Sequence, residues 1–221
     1  MIESSTSAGL KPVSQRRSQE TLQRIVDAFA AALEETSFEA LTVAEICRRA
    51  GCSVGTFYGR VESKEHLLGH LCERAYDQLG AVVEQLAQSE PYADCTLEEM
   101  LAAQSQALVA LHAERRGVIR AIVVHARRHD ELADATRSFN ARMVASFASG
   151  WRRRRSPRHA EVPAGTAELA AIMAAAFLRE AVVFGRLWPS MDEVATQDIS
   201  RALVRMLLGM FAPHLVANAT P

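Results

Sequence analysis

The chain has 221 residues, of which 49% are apolar and 23% charged, with a formal net charge of −1. This is enough apolar material for one or two domains with a substantial core, and it excludes a disordered chain. No apolar run approaches the roughly 20 residues needed to span a bilayer, and a balance of −1 is not that of a protein held to DNA by its total charge. Alanine, leucine, arginine and glutamate dominate, so helix is favoured over strand. The opening MIESSTSAGLKPVSQRR lacks the hydrophobic centre of a secretion signal. It reads as a flexible basic arm over 1–18, in a cytoplasmic protein. Four cysteines (Cys47, Cys52, Cys72, Cys95) show neither CxxC spacing nor grouping with histidine. They read as reduced thiols packed as small hydrophobes, with Cys47 and Cys52 close enough to permit a redox switch.

Leu22, Val26, Phe29 and Leu33 set one apolar stripe on a first helix that fades near 36–38. Thr42-Val-Ala-Glu45 has the form of a capping box, opening a short helix to about Arg49 with Val43 and Ile46 inward. Gly51 suits a left-handed helix end. Ser53 offers a second N-cap, for a helix over about 54–60 that is too short to stand alone. Ser63 offers a third, opening a long helix to about Gln88. The second and third helices have helix-turn-helix proportions. Beyond SEPYADC (89–95), a second capping box at Thr96 and Glu99 starts a helix to about His112. Helices over about 115–129 and 131–154 follow. SPRHAEVPAG (156–165) reads as an exposed loop. Two helices apolar around much of their circumference, 166–187 and about 191–211, are separated by a Trp188-Pro189 stop. The fold class is all-α.

Residues 24–68, RIVDAFAAALEETSFEALTVAEICRRAGCSVGTFYGRVESKEHLL, resemble the DNA-binding domain of the TetR (tetracycline-repressor) family. Several elements agree in order and spacing: the amphipathic first helix, Thr-x-x-Glu-Ile, Ala-Gly-x-Ser at the turn, Gly-Thr-x-Tyr, and Ser-Lys-Glu-x-Leu. The match covers about a fifth of the chain. The sequence departs from the family at Gly59-Arg60-Val61-Glu62, where Arg60 stands in place of an aromatic. The resemblance implies a helix-turn-helix domain over 19–65, a helical effector-binding and dimerisation domain over 66–214, and a tail over 215–221.

The residues read the same way physically. Gly55 lets the backbone of a recognition helix approach a duplex, and Thr56 presents a short hydrogen-bonding group. Tyr58 can lie along the sugar–phosphate wall, while Arg60 can read a guanine edge or grip a phosphate. Lys64, Thr42 and Ser53 complete the candidate contacts, at helix N-termini that favour phosphate. Each has a second reading. Thr42 and Ser53 can be caps alone, Gly55 can serve close packing, Tyr58 can be a core aromatic with a wet hydroxyl, and Lys64 can be a solvated side chain, although it is one of two lysines in the chain. Between Lys11 and Lys64 there are eight Lys/Arg against seven Asp/Glu. Any attraction to phosphate is therefore local, supplied by Arg16, Arg17, Arg48, Arg49, Arg60 and Lys64 around the surface.

For the C-terminal two-thirds, the resemblance implies an effector pocket between helices four to eight. Candidate lining residues are His112, His125, Phe139, Met143, Phe147 and Trp151. It also implies a homodimer formed by the last two helices, with Phe177, Phe184 and Leu207 supplying bulk; an ordinary monomer core is the alternative. His66/His70 and His125/His129 are i,i+4 pairs without an evident third ligand, so neither metal, cofactor nor catalytic residues are expected. WRRRRSPRH (151–159) reads as a solvated helix terminus. The function expected is a ligand-responsive regulator, a repressor released from palindromic double-stranded operator DNA by a small molecule and making no membrane contact. The alternatives are a ligand-independent DNA-binding or interaction protein and an all-helical metal-dependent enzyme.

Overall fold

The computed structural model describes residues 11–88, 92, 94–153, 164–185 and 194–216. It divides into two compact units, Met1–Leu71 and Cys72–Pro221. Among the described residues the secondary structure is entirely helical, and no helix is long and apolar enough to cross a membrane. The Trp188-Pro189 stop lies outside the described residues, as do 217–221, part of SEPYADC, most of SPRHAEVPAG and the basic run beyond Arg153.

In the first unit, α1 (Lys11–Glu35) begins inside the stretch read as a flexible arm. Local chemistry accounts for the early start. Pro12 sits in the first turn, where its missing N–H costs nothing. Arg16 Nε donates to Glu20 at 3.0 Å and Gln23 to Asp27 at 3.1 Å, both at i,i+4. Ile25, Val26, Phe29, Ala32 and Leu33 form the buried stripe, and Phe29 meets the edge of Phe38 at 6.1 Å.

The next helix, α2 (Val43–Ala50), opens as only half a capping box. Thr42 Oγ1 accepts the Glu45 N–H at 3.2 Å, but the Glu45 carboxylate turns to Arg48 and Arg49 instead of reaching back. The helix ends at Gly51, whose φ of 63° places it in the left-handed region, and Cys52 N–H closes onto Cys47 O at 3.0 Å. Ser53 caps α3 (Val54–Tyr58) by accepting the Thr56 N–H at 3.0 Å. Phe57 is fully buried. Val54, expected inward beside it, is 45% exposed: so short a helix has one inward position, and Val54 stands in its open first turn. Ser63 Oγ then accepts the His66 N–H at 3.2 Å and caps α4 (Lys64–Ala87).

The second unit takes the rest of α4, then α5 (Leu97–Glu114), α6 (Arg116–Ala126), α7 (Asp130–Arg153), α8 (Ala164–Leu178) and α9 (Thr196–Val216). Both halves of the Thr96–Glu99 capping box are present at the start of α5. A π-helical turn, Arg179–Val183, extends α8, and Phe184 N–H reaches Arg179 O at 2.9 Å. The core forms where α5 packs on α9 and α7 on α8, around Leu101, Phe147, Trp151, Leu203, Leu207 and Phe211. Its polar members are paired: Trp151 Nε1 donates to Gln104 Oε1 at 2.9 Å, and Gln104 Nε2 donates to Leu86 O at 2.7 Å. Gly150 permits the crossing of α7 over α4, because a Cβ there would lie 2.3 Å from Ala87 O.

A candidate nucleic-acid interface and a candidate ligand cavity

Capping fixes α3 so that one side faces inward through Phe57 and the other faces solvent. Tyr58 is 55% exposed and rests edge-on against Phe57, with ring centroids 5.3 Å apart. Its hydroxyl makes no hydrogen bond among the described residues, so the core reading does not apply. An added Cβ on Gly55 would meet nothing closer than Ser53 Oγ at 3.8 Å. Internal packing therefore does not require glycine there, and its small size opens the helix only toward the outside. Ser53 Oγ and Thr56 Oγ1 share a hydrogen bond of 2.9 Å on the same face. Thr42 is a cap, yet its own hydroxyl proton remains available to donate. Arg60 is exposed, its one side-chain bond being a 3.4 Å contact from Nη1 to Gly59 O.

Lys64 is placed differently from the expectation. Its ammonium donates to Phe38 O at 2.7 Å and Leu41 O at 2.8 Å, and it sits 4.2 Å from the centre of the Phe38 ring. It closes the α1–α2 connection. Both bonds hold the ammonium against the backbone of that connection, where charge-assisted bonds to carbonyl oxygens are strong.

The expected basic surround is also largely neutralised. Arg49 holds Glu35 with two bonds of 2.8 Å and Glu45 with one of 2.7 Å, while Arg48 forks onto Glu45 at 2.7 and 2.8 Å. Hydrogen bonds from Arg48 and then Arg49 hold the Glu45 carboxyl down at about 2, and Arg49 likewise lowers Glu35. Arg16 is paired with Glu20. Among the described residues of this unit, Arg17, Arg24 and Arg60 keep exposed guanidinium groups without an ion pair. Cys47 is buried, and burial followed by the neighbouring Cys52 pushes its thiol up to about 11, away from reactive thiolate.

The second unit encloses a cavity of about 320 Å³ walled by α4 to α8 and the π turn. Of the six residues expected to line it, His112, Phe139 and Met143 do so. Phe147 and Trp151 instead belong to the core, bordering only a void of about 30 Å³. His125 is buried outside the cavity wall, its ring 5.9 Å from that of His129. Helix geometry explains the split on α7. Positions four apart drift by about 40° around the axis, so a series begun at Phe139 has turned about 120° by Trp151. Sequence reasoning missed Tyr76, Arg127, Thr136, Arg137, Asn140 and Arg179, which with His112 supply the polar part of the wall. Thr136 and Asn140 fall on the Phe139–Met143 stripe, a signal that spacing could have supplied.

The polar groups are mostly committed. Thr136 Oγ1 donates to Leu132 O at 2.6 Å, so Tyr76 must donate in the 2.8 Å bond between the two hydroxyls. Tyr76 also stacks on Phe139 at 4.4 Å, and burial raises its phenol above the ordinary value. His112 Nδ1 donates to Leu108 O at 2.8 Å, which leaves Nε2 as an acceptor in the neutral ring. Burial lowers the His112 pKa against the opposing effect of that bond, and Arg179 lowers it further. Among the described residues no three His, Cys, Asp or Glu side chains gather as a metal site.

Of the candidate dimer residues, one is corrected. Leu207 is 3% exposed and faces the core of its own unit, drawn in by α5, while Phe177 and Phe184 are half-buried. The exposed apolar positions of α8 are Leu169 and Ile172, each 52%, and Met173, 39%, at i, i+3 and i+4.

The described residues thus form a capped helix-turn-helix followed in the chain by an all-helical unit that holds a cavity. Residues 25–71 match the family model described as "Bacterial regulatory proteins, tetR family". Solved structures share the fold. A protein from Mesorhizobium loti MAFF303099 assigned to the TetR-family transcriptional regulators is 22% identical, with a TM-score of 0.67 over 87% of this chain and 97% of that one. Salmonella enterica GusR is 19% identical, with a TM-score of 0.63 over 87% and 96%. FadR from Bacillus subtilis, in complex with stearoyl-CoA, is 17% identical, with a TM-score of 0.60 over 85% and 98%. A comparison with curated proteins found no match.

Proposed function

We propose that the protein is a homodimeric transcriptional repressor that reads a palindromic operator with α3 and releases it when a small molecule enters the cavity. The observation that carries this reading is the outward face of α3. Gly55 and Tyr58 lie there with no packing task that explains them, Thr56 stands beside the Ser53 cap, and Arg60 is exposed two residues beyond the end of the helix. Thr42 and Ser53 join them as phosphate donors at helix N-termini, and Lys64 is left to its structural role. With few free cations, a single unit would hold DNA weakly, so specificity is supplied by two copies on paired half-sites. The Leu169, Ile172 and Met173 stripe is the surface proposed to bring the copies together.

The cavity favours a ligand-responsive protein over a ligand-independent one. Its volume lies at the lower end of the range for small-molecule sites, about 300–1,000 Å³. The FadR complex with stearoyl-CoA adds support for a ligand with an apolar body. Such a ligand acts by preferring one spacing of the two reading heads, which shifts the population away from the DNA-bound form. A regulator of this kind works in the cytoplasm, where its operator lies. Hydroxyl-radical footprinting of the DNA around its own gene should show two protected half-sites roughly one helical turn apart, or a multiple of that. One protected half-site would count against the dimer, and none against the operator.

A further inference from the structure

The cavity wall is charged in one sense only. It carries Arg127, Arg137 and Arg179, and neither an aspartate nor a glutamate. Arg127 and Arg137 are exposed, and Arg137 is already paired with Asp134. Arg179 differs from both. It is half-buried at the first position of the π-helical turn, and among the described residues its side chain makes no hydrogen bond or ion pair. Its field reaches His112 and Tyr76, both on the cavity wall. A guanidinium does not shed its proton in a protein, so a half-buried one has only its exposed side solvated, and an anion in the cavity would compensate the rest. The other polar groups of the wall, apart from the arginines, are neutral and cannot balance its charge: Tyr76, Thr136 and the Nδ1 of His112 are bonded to one another or to backbone, and the His112 Nε2 and the Asn140 amide carry no negative charge. Around them the wall is aliphatic, with Leu79, Val83, Ile119 and Ile122 among its members.

We propose that this cavity receives an amphipathic anion, a carboxylate or phosphate head on an apolar body, with Arg179 as the partner of the head group. The proposal rests on reading the cavity as the effector site and names the chemical class of the effector. A neutral hydrocarbon would leave the guanidinium unpaired, and a cation would add a like charge beside it.

Calorimetric titration of the full-length protein with decanoate, decyl phosphate, decanol and decylamine tests this. At least one of the two anions should bind about tenfold or more tightly than decanol, with decylamine weakest. Which anion leads distinguishes a carboxylate ligand from a phosphate one. Arg179→Gln should abolish the preference while leaving decanol affinity unchanged, and Arg179→Lys should restore part of it. Decanol binding equal to or tighter than both anions, a preference that survives Arg179→Gln, or binding of no probe would overturn the proposal. If Arg179→Gln also loses decanol, the lysine variant decides: retained preference supports the assignment and lost preference refutes it. DNA binding by the ligand-free protein is measured separately. Binding to DNA without anion preference removes only this inference, whereas anion binding without DNA binding removes only the operator reading.

Discussion

Replacing Lys64 with methionine separates a structural lysine from a DNA-contacting one. Methionine keeps an apolar cover over Phe38 but removes the charged donor that now bonds the carbonyls of Phe38 and Leu41 at 2.7 and 2.8 Å, leaving Phe38 O with the 3.3 Å bond from Leu41 N–H. Hydrogen bonds from a charged donor are each worth about 1.5–3 kcal/mol, and the cation–ring contact about 0.5–1. The site is half-buried, so water recovers a good part of this. The net expected loss is about 2 kcal/mol. In native-state hydrogen exchange of the full chain, the most protected amides of α1 and α2 should then exchange about thirtyfold faster. The dependence of DNA affinity on salt should keep its slope, because no phosphate contact has been removed. Unchanged exchange combined with a slope smaller by about one would refute the reasoning and return Lys64 to the DNA surface.

Other expectations are as direct. Gly55→Ala should leave stability unchanged or raise it by about 0.5–1 kcal/mol, since the new methyl meets nothing inside and alanine favours helix. DNA affinity should nevertheless fall about tenfold, and an unaltered binding isotherm would remove Gly55 from the interface. Gly150→Ala drives a Cβ to 2.3 Å from a backbone oxygen of α4, so the urea midpoint should fall by the equivalent of about 3 kcal/mol; an unchanged midpoint would mean that α4 and α7 separate freely. The Glu45 carboxyl titrates lower in the folded protein than in the unfolded chain. Its stabilising effect is therefore complete above about pH 4.5 and fades as pH falls toward about 2. Equilibrium denaturation of the native chain and Glu45→Gln should show a difference at neutral pH that closes over this interval, and a gap that stays constant would contradict the assignment.

What could be read in the sequence was the chemistry that acts within one helical turn. The caps at Thr42, Ser53, Ser63 and Thr96 and the left-handed Gly51 are fixed by neighbours two to five positions away, and the structure forms all of them. Partners brought together by folding were less legible. The carbonyls that hold Lys64 belong to Phe38 and Leu41, and the arginine that draws on Glu45 also reaches back to Glu35 in α1. Local spacing contains neither fact. Both change the electrostatics of the proposed DNA surface, leaving fewer free cations than a residue count suggests. Val54 could not be oriented because a helix of five residues has no periodicity to read. The pocket was half legible. An i,i+4 series on α7 marks a face at Phe139 and Met143, but the helix turns that series into the core by Phe147 and Trp151. Arg179 escaped notice because nothing in an alanine-rich segment signals where a single guanidinium meets a cavity.

The central claim is that the outward face of α3 binds DNA, and a fluorescence-anisotropy titration of the full-length protein against DNA from around its own gene tests it most directly. Affinity should fall steeply with salt, exceed that for scrambled DNA, and drop by about tenfold or more in Tyr58→Ala and in Arg60→Ala with the helical content unchanged. Equal affinity for native and scrambled DNA, or for the native chain and both variants, would contradict it.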